Sequence, residues 1–532
     1  MPPSRLIFLI CIAAGAILLT MCGFAQNSPA TATPIQHLVV IFGENVSFDH
    51  YFGSYPIAKN PLGQPAFAAL PGTPAVNGLA GALMTNNPNF TNTQNGPGAT
   101  NPFRLDRTQA LTADQNHGYR AEQQAFNNGA MDLFPRFTGR GSTAGGTGPF
   151  YTTGLVMGYY DGNTVTAFWN YAQHFALNDN SFGSTFGPST PGAINLISGQ
   201  TNGAIRSTGT LTSDASLVDD GNGGLTMIGD PDPTEDACSS TRGATVTMTG
   251  KNIGDLLNAR NVTWGWFQGG FDLTVTNANG TTGCTRSSYS PIVGSYRNDY
   301  VPHHQPFQYY RSTANPKHVR PKSIASIGTK DDGGANHQYD INDFYAAVTA
   351  GNFPAVSFLK ATAIQDAHPG SSDPLDEQTF IVTVINFLQK SPEWKNTAVI
   401  LAYDDSDGWY DHVSHIVNAS SGTSDALKSA GVCGSGTPLP GVKGMPVNGR
   451  CGYGPRLPLL VVSPYAKANF VDHTLTDQSS ILRFIEDNWL GSQRIGNGSF
   501  DQIAGVINNM FDFSKAATGT LFLDSNTGLP QK

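Results

Sequence analysis

The sequence predicts an α/β protein with a mostly parallel central sheet flanked by helices and interrupted by a loop-rich insertion. Three observations predict it. Residues 37–42 (HLVVIF), 397–403 (TAVILAY) and 458–462 (PLLVV) are short, nearly continuous apolar runs, the pattern of strands buried on both faces. Residues 377–389 (EQTFIVTVINFLQ) and 479–490 carry apolar side chains at helical spacing. The second has Ile481, Leu482, Ile485 and Trp489 on one face and Thr476 or Asp477 placed to cap it. Strands separated by helices define this fold class. Residues 200–250 are polar and rich in Thr, Gly and Asp, the composition of an insertion or cap.

In chain order, residues 1–25 read as an export signal. Arg5 supplies a short positive start, residues 6–19 are apolar, and Gly23-Phe24-Ala25 has the small-x-small form of a cleavage site, so the mature chain is expected to begin at Gln26. An uncleaved anchor is the first competing reading, against which the apolar core is short. A lipoprotein through Cys22 is the second, but Met21 stands where such a signal wants a small residue. No other apolar run approaches membrane-spanning length. A periplasmic or secreted protein without stable membrane insertion is therefore expected. Residues 26–36 read as a polar linker, 37–512 as the main domain with its insertion at about 200–300, and 513–532 as an irregular tail. Residues 82–102 and 138–149 read as loops, and Trp264-Gly265-Trp266-Phe267 as a return to the core.

Of six cysteines, Cys11 and Cys22 leave with the signal. An even number in an exported chain suggests disulfides. The remaining four allow three connectivities, and Cys238–Cys284 with Cys433–Cys451 is preferred because each pair brackets one loop-rich segment. Zinc is the competing use, but no CxxC or nearby His supports it. Hydrophobic residues at 39% suffice for a sizeable core, which excludes global disorder. The net charge is −9 with no Lys/Arg-rich run, which argues against nucleic acid as a partner because binding its backbone needs clustered positive charge. A single phosphate ester needs only a metal and a few donors, so it remains a possible substrate.

Two strand ends carry the chemistry. The run 37–42 leads directly into Gly43-Glu44-Asn45, and 397–403 leads into Asp404-Asp405. In open α/β sheets ligands bind at the carboxyl ends of strands. If the two strands are parallel neighbours, three carboxylates meet there and repel one another unless a cation sits among them. Oxygen donors of this kind suit a hard divalent ion. The competing reading is that such acidic residues simply open a turn or cap a helix. Loops marked by Gly or Pro carry His117 (NHGY), His303-His304 (HHQPF) and His368 (DAHPG). Ser189, in FGPSTPG, precedes a helical pattern from Ala193, and a serine at a helix start lies among backbone N–H donors that suit a phosphate. Each of these residues taken singly is more often structural.

Taken together, the segments resemble a known family. GENVSFDHYFGSYP (43–56) closely resembles the ENRSFDHYFG signature of bacterial phosphoesterases, which include non-specific phospholipases C and secreted acid phosphatases. NHGY (116–119), FALNDNSFGSTFGPSTPG (175–192), HHQPFQYY (303–310), HPGSSDPLDEQ (368–378), AYDDSDGWYDHV (402–413) and GPRLPLLVVSPYAK (454–467) resemble its other blocks in the same order, over roughly residues 37–490. The resemblance implies an alkaline-phosphatase-like fold. It also implies Glu44, Asn45, Ser189, Asp404 and Asp405 as metal ligands, Ser189 as nucleophile, and His117, His304 and His368 around the phosphate and leaving group. Three departures lean towards the acid phosphatases: Val46 for the usual Arg, Ser406-Asp407 for His-Gly, and Gly192 where many phospholipases C have Asn.

The function implied is a secreted hydrolase of phosphoric esters, with a metal-activated serine and a phosphoseryl intermediate. Its substrate would be a phospholipid or a small phosphomonoester. Its cofactor would be one divalent ion among Ca²⁺, Mg²⁺, Mn²⁺, Fe²⁺ and Zn²⁺, with hard ions favoured. The alternative is a non-catalytic secreted adhesin or binding protein holding structural Ca²⁺, against which stands the absence of repeats. A sulfatase-like reading lacks its Cys/Ser-x-Pro-x-Arg motif, which Ser189-Thr190-Pro191-Gly192 does not supply.

Overall fold

A computed structural model describes residues 30–142, 146–208, 216–240, 242–291, 293–417, 425, 433, 438–515 and 519–531. The expected signal peptide lies outside them. The strands that matter are β1 (His37–Gly43), β2 (Ala176–Asn178), β3 (Asn202–Arg206), β4 (Leu217–Asp219), β5 (Leu225–Met227), β6 (Val246–Met248), β7 (Trp264–Gln268), β8 (Gln338–Asp340), β9 (Val356–Lys360), β10 (Thr397–Tyr403), β11 (Leu459–Val462) and β12 (Phe470–Asp472). Eight of them form one sheet in the order β8-β7-β9-β1-β10-β11-β2-β12. All its pairings are parallel except the two made by β11, which runs against its neighbours β10 and β2. The α/β expectation holds, with the third apolar run as the antiparallel member.

The helices used below are α1 (Phe48–Phe52), α2 (Tyr119–Phe126), α3 (Thr166–His174), α4 (Ser189–Ser198), α5 (Ile253–Ala259), α6 (Ile341–Thr349), α7 (Pro374–Gln389) and α8 (Gln478–Trp489). Helix α7 starts where Asp373 caps it through the Leu375 and Asp376 amides, and α8 where Asp477 accepts from the Ser479 amide. Helix α3 packs with α7, and α4 with both α8 and α5. Every residue of β9, β10 and β11 is buried, as continuous apolar strands require when both sheet faces are covered.

The insertion resolves into a four-stranded antiparallel sheet in the order β4-β5-β3-β6. The chain then re-enters the main sheet at β7, where the WGWF run lies. Residues 30–36 are docked rather than free: Ile35 is fully buried, and the Thr33 amide donates to Asn488 Oδ1 at 2.9 Å. The tail is irregular but also docked, with Leu523 buried and its carbonyl taken by Asn386 Nδ2 at 2.7 Å. Both expected disulfides form, with Cα separations of 5.2 Å for Cys238–Cys284 and 5.8 Å for Cys433–Cys451.

Candidate active site and metal centre

The register of three adjacent strands builds the site. In the β1–β10 pairing Gly43 lies beside Tyr403, so Glu44 and Asp404 leave the sheet at one level. On the other side of β1, Ile41 pairs with Leu359, which brings Lys360 to the same edge. The carboxyl ends of β9, β1 and β10 thus deliver an ammonium and three carboxylates to one place, where open α/β sheets bind ligands.

The turn after β1 is shaped by Asn45, whose φ of 61° puts it in the left-handed region that Asn tolerates. Its amide donates to Asp404 Oδ1 at 3.0 Å and its Nδ2 to Asp407 Oδ1 at 3.0 Å. The turn after β10 is closed on itself, with the Asp405 amide donating to Asp404 Oδ1 and the Asp407 amide to Asp405 Oδ1, both at 2.7 Å. Opposite these turns stands the first residue of α4. Ser189 Oγ donates to Glu44 Oε2 at 2.9 Å and to Asp405 Oδ2 at 3.2 Å. Glu122, on α2, ties the two loops together: it accepts from the Gly187 amide at 3.0 Å and from Ser406 Oγ at 2.7 Å.

The three histidines converge on this cluster. His304 Nδ1 lies 3.1 Å from Glu44 Oε1, and His117 Nδ1 lies 3.2 Å from Asp407 Oδ1. The His368 ring centroid is 6.2 Å from that of His117 and 6.4 Å from that of His304. Beside the His117–His368 edge opens a cleft of about 670 Å³, lined by Thr112, Asp114, Arg140, Phe150, Arg297 and Gly370.

Electrostatically the site is short of positive charge. Glu44, Asp366, Asp404, Asp405 and Asp407 are each at most 3% exposed. Burial, then the neighbouring Glu44, pushes the carboxyls of Asp404 and Asp366 up to about 7. Burial drives Asp405 well above the carboxylate range and Asp407 to about 6. Burial also opposes charge on Glu44, but the Lys360 ammonium, a hydrogen bond with Asp404 and the His368 imidazole together outweigh it and hold that carboxyl below its ordinary value. For His117, burial is overcome by Asp405 and Asp407, so the imidazole stays protonated well above its usual range. Glu44 and Asp366 likewise raise His368 against its burial, whereas burial and the adjacent His303 hold His304 well below its usual range.

The donor set fits a hard divalent cation. Asn45 Oδ1 and Asp404 Oδ2 are buried oxygens with no hydrogen-bond partner, the state expected of ligand atoms rather than of satisfied structural groups. Two other clusters of acidic and His or Cys side chains are structural. Asp49, Asp411 and His412 surround the fully buried Arg456 guanidinium. Asp236 accepts from Tyr300 Oη, Gln308 Nε2 and His318, and its neighbour Cys238 is disulfide-bonded. His50, from the first family block, is structural too: it stacks on Trp409 with centroids 3.9 Å apart, and burial lowers its pKa to about 3.

All eight residues expected at the site therefore lie in one connected cluster, with the four cysteines elsewhere in the molecule. Lys360, Asp366, Asp407 and Glu122 are members of the cluster beyond the eight expected. Lys360 carries a readable signal, since it ends the apolar run VSFLK as Glu44 and Asp404 follow theirs. Glu122 carries none, because only packing brings α2 beneath the two loops.

The sequence profile of the Phosphoesterase family matches residues 35–490. The chain is 24% identical over 462 residues to a non-hemolytic phospholipase C of Pseudomonas aeruginosa, with 86% of this chain and 54% of that protein aligned. It is 23% identical over 507 residues to phospholipase C A of Mycobacterium tuberculosis, with 93% and 81% aligned. The chain thus spans about half the length of the Pseudomonas relative. Among solved structures, murine ectonucleotide pyrophosphatase / phosphodiesterase 5 aligns over 65% of this chain and 95% of that one, at 11% identity and a TM-score of 0.30.

Proposed function

The chain belongs to the Phosphoesterase family, and from that premise we propose that it is an exported, metal-dependent hydrolase of phosphoric esters, of the phospholipase C or acid phosphatase type, with Ser189 as its nucleophile. The observation that carries the reading is the position of Ser189 Oγ. It stands at the start of α4, within 3.2 Å of two carboxylates from different loops, beside buried oxygens that lack partners.

Glu44, Asn45, Ser189, Asp404 and Asp405 would hold the metal. Once bound, a divalent ion supplies charge neutralisation and lowers the pKa of the serine hydroxyl. Ser189 Oγ bonds to phosphorus as the bond from phosphorus to the leaving oxygen breaks, and its single hydroxyl proton passes to one of the two carboxylates within reach, Glu44 at 2.9 Å or Asp405 at 3.2 Å. His117 and His368 are the protonated imidazoles of the cluster. One donates its proton to the departing alkoxide, and the other donates hydrogen bonds to the phosphoryl oxygens, where they count most as charge develops. Water then hydrolyses the phosphoserine and regenerates the free hydroxyl. His304 is tied to Glu44 and positions that carboxylate. Export accords with the two disulfides, and no helix among the described residues is long and apolar enough to cross a membrane.

The test is hydrolysis of p-nitrophenyl phosphate and p-nitrophenyl phosphorylcholine across pH 4–9, with and without EDTA, beside Ser189→Ala. Chelator-sensitive turnover is expected, with kcat in Ser189→Ala lower by roughly 10³-fold or more, since loss of a nucleophile leaves only the binding groups. Faster release from the choline diester marks a phospholipase C. Preference for the monoester at acid pH marks an acid phosphatase, the side to which Val46, Asp407 and Gly192 lean. Full activity in Ser189→Ala would refute the mechanism.

A further inference from the structure

We propose that the site contains two adjacent cation positions sharing Glu44, and that the Lys360 ammonium fills the second, so that the protein takes one metal ion where its acidic groups would otherwise hold two. The inference rests on the metal reading above and adds to it a role for residues which that reading leaves unused.

The two oxygens of Glu44 serve different neighbourhoods. Oε2 accepts from Ser189 Oγ at 2.9 Å, on the side of Asp404 and Asp405. Oε1 faces away from the nucleophile, against Lys360 Nζ and 3.1 Å from His304 Nδ1. On that second side, Glu44, His304 and Asp366 each present a ligand atom, and the three atoms lie within 4.8 Å of one another. All three residues are buried, and Asp366 Oδ2, 3.7 Å from His304 Nδ1, has no hydrogen-bond partner. One imidazole nitrogen and two carboxylate oxygens, one of them unpartnered, form a donor set that divalent ions accept.

Lys360 is placed to pre-empt that ion. It is 1% exposed and leaves β9 at the same sheet edge as Glu44. Its Nζ touches Glu44 Oε1 and lies 4.0 Å from Asp404 Oδ2. A buried ammonium is tolerated only where carboxylates surround it, and here Glu44, Asp404 and Asp366 all stabilise its charge. An ammonium is a compact point charge with three donors, so in this position it does a cation's electrostatic work without accepting ligands or exchanging. Glu44 is then held between a fixed charge on Oε1 and the exchangeable ion's side on Oε2. Lys360 acts through Glu44 and is a positioning residue.

Metal stoichiometry tests this directly. Wild-type protein and Lys360→Met, which removes only the ammonium, would be saturated with Mn²⁺ or Zn²⁺, desalted and assayed for bound metal by mass spectrometry, with folding checked by circular dichroism. The expected contents are one ion in the wild type, two in Lys360→Met, and one again in Lys360→Met/Asp366→Asn, which removes a ligand of the second position. Two ions in saturated wild type would overturn the proposal without any variant having to fold. A folded Lys360→Met that still binds one would overturn it while leaving the metal-serine reading intact. An active wild type that binds none would sink both.

Discussion

Gly192 shows how closely the nucleophile's helix meets the metal-binding turn. A methyl group there would stand 2.1 Å from the Asp404 carbonyl oxygen and 2.8 Å from Gln478 Nε2. Backbone meets backbone, so no side chain can move aside to relieve it. Gly192→Ala should therefore cost about 1–3 kcal/mol in thermal unfolding and weaken metal binding, since relief requires α4 to withdraw from Asp404. A variant as stable as wild type would show that the approach is looser. Asp407 makes the opposite case. Its φ of 55° suits glycine, the residue usual in the family, while its carboxylate holds Asn45, the Gln115 amide and His117. Asp407→Gly is expected to fold normally and to lose roughly 10–100-fold in activity, as when groups that orient ligands are removed. Unchanged kcat/KM would mean that His117 needs no such anchor.

At the scale of elements, helix α7 meets the central strands through one buried acid. Glu377 Oε2 accepts from Tyr51 Oη at 2.8 Å and Oε1 from Tyr403 Oη at 2.6 Å, linking α7 to α1 and to the end of β10. Burial pushes this carboxyl up to about 8. The sign of the linkage follows: the folded state holds the proton to higher pH than the unfolded chain, so stability is lost as pH rises from about 4.5 through about 8 and is level outside that window. Glu377→Gln cannot titrate there. Its melting temperature relative to wild type should rise between pH 5 and pH 8 by an amount worth about 3–4 kcal/mol, then stay constant. A difference that does not move with pH would mean that the wild-type carboxyl is already ionised at pH 5.

Across the whole molecule, Arg456 joins segments far apart in sequence. The fully buried guanidinium donates to Asp49 at 3.0 Å, Asp411 at 3.1 Å and the carbonyls of Asn77 and Asp179 at 2.7 and 2.9 Å, with its carbon 4.2 Å from the Phe48 ring centroid. Removing one partner strands two buried carboxylates. Arg456→Ala should cost about 3–5 kcal/mol in urea unfolding, the usual penalty for breaking a buried ion pair. A loss below about 1 kcal/mol would mean that water replaces the arginine. This network explains why the first family block extends beyond Glu44 and Asn45: Ser47 caps α1 and Asp49 anchors it, so the same block positions the metal ligands and the helix behind them.

What could be read from the amino-acid sequence was whatever local chemistry encodes. Continuous apolar runs identified β1, β10 and β11 because a strand buried on both faces needs apolar side chains at every position. The acids just beyond two of those runs marked the site because a strand's end is fixed by where its apolar run stops. The cysteine pairs were legible because each brackets one segment. The rest required tertiary structure. The register of Gly43 with Tyr403 puts Glu44 and Asp404 at one level, and a slip of one residue would have turned their side chains to opposite faces. Asp366 and Glu122 join the site only because segments far apart in sequence fold over one sheet edge, and no local pattern specifies which buried charge will face which. Long-range strand order, together with the pairing of buried charges that it imposes, decided that a row of carboxylates became a site for a cation.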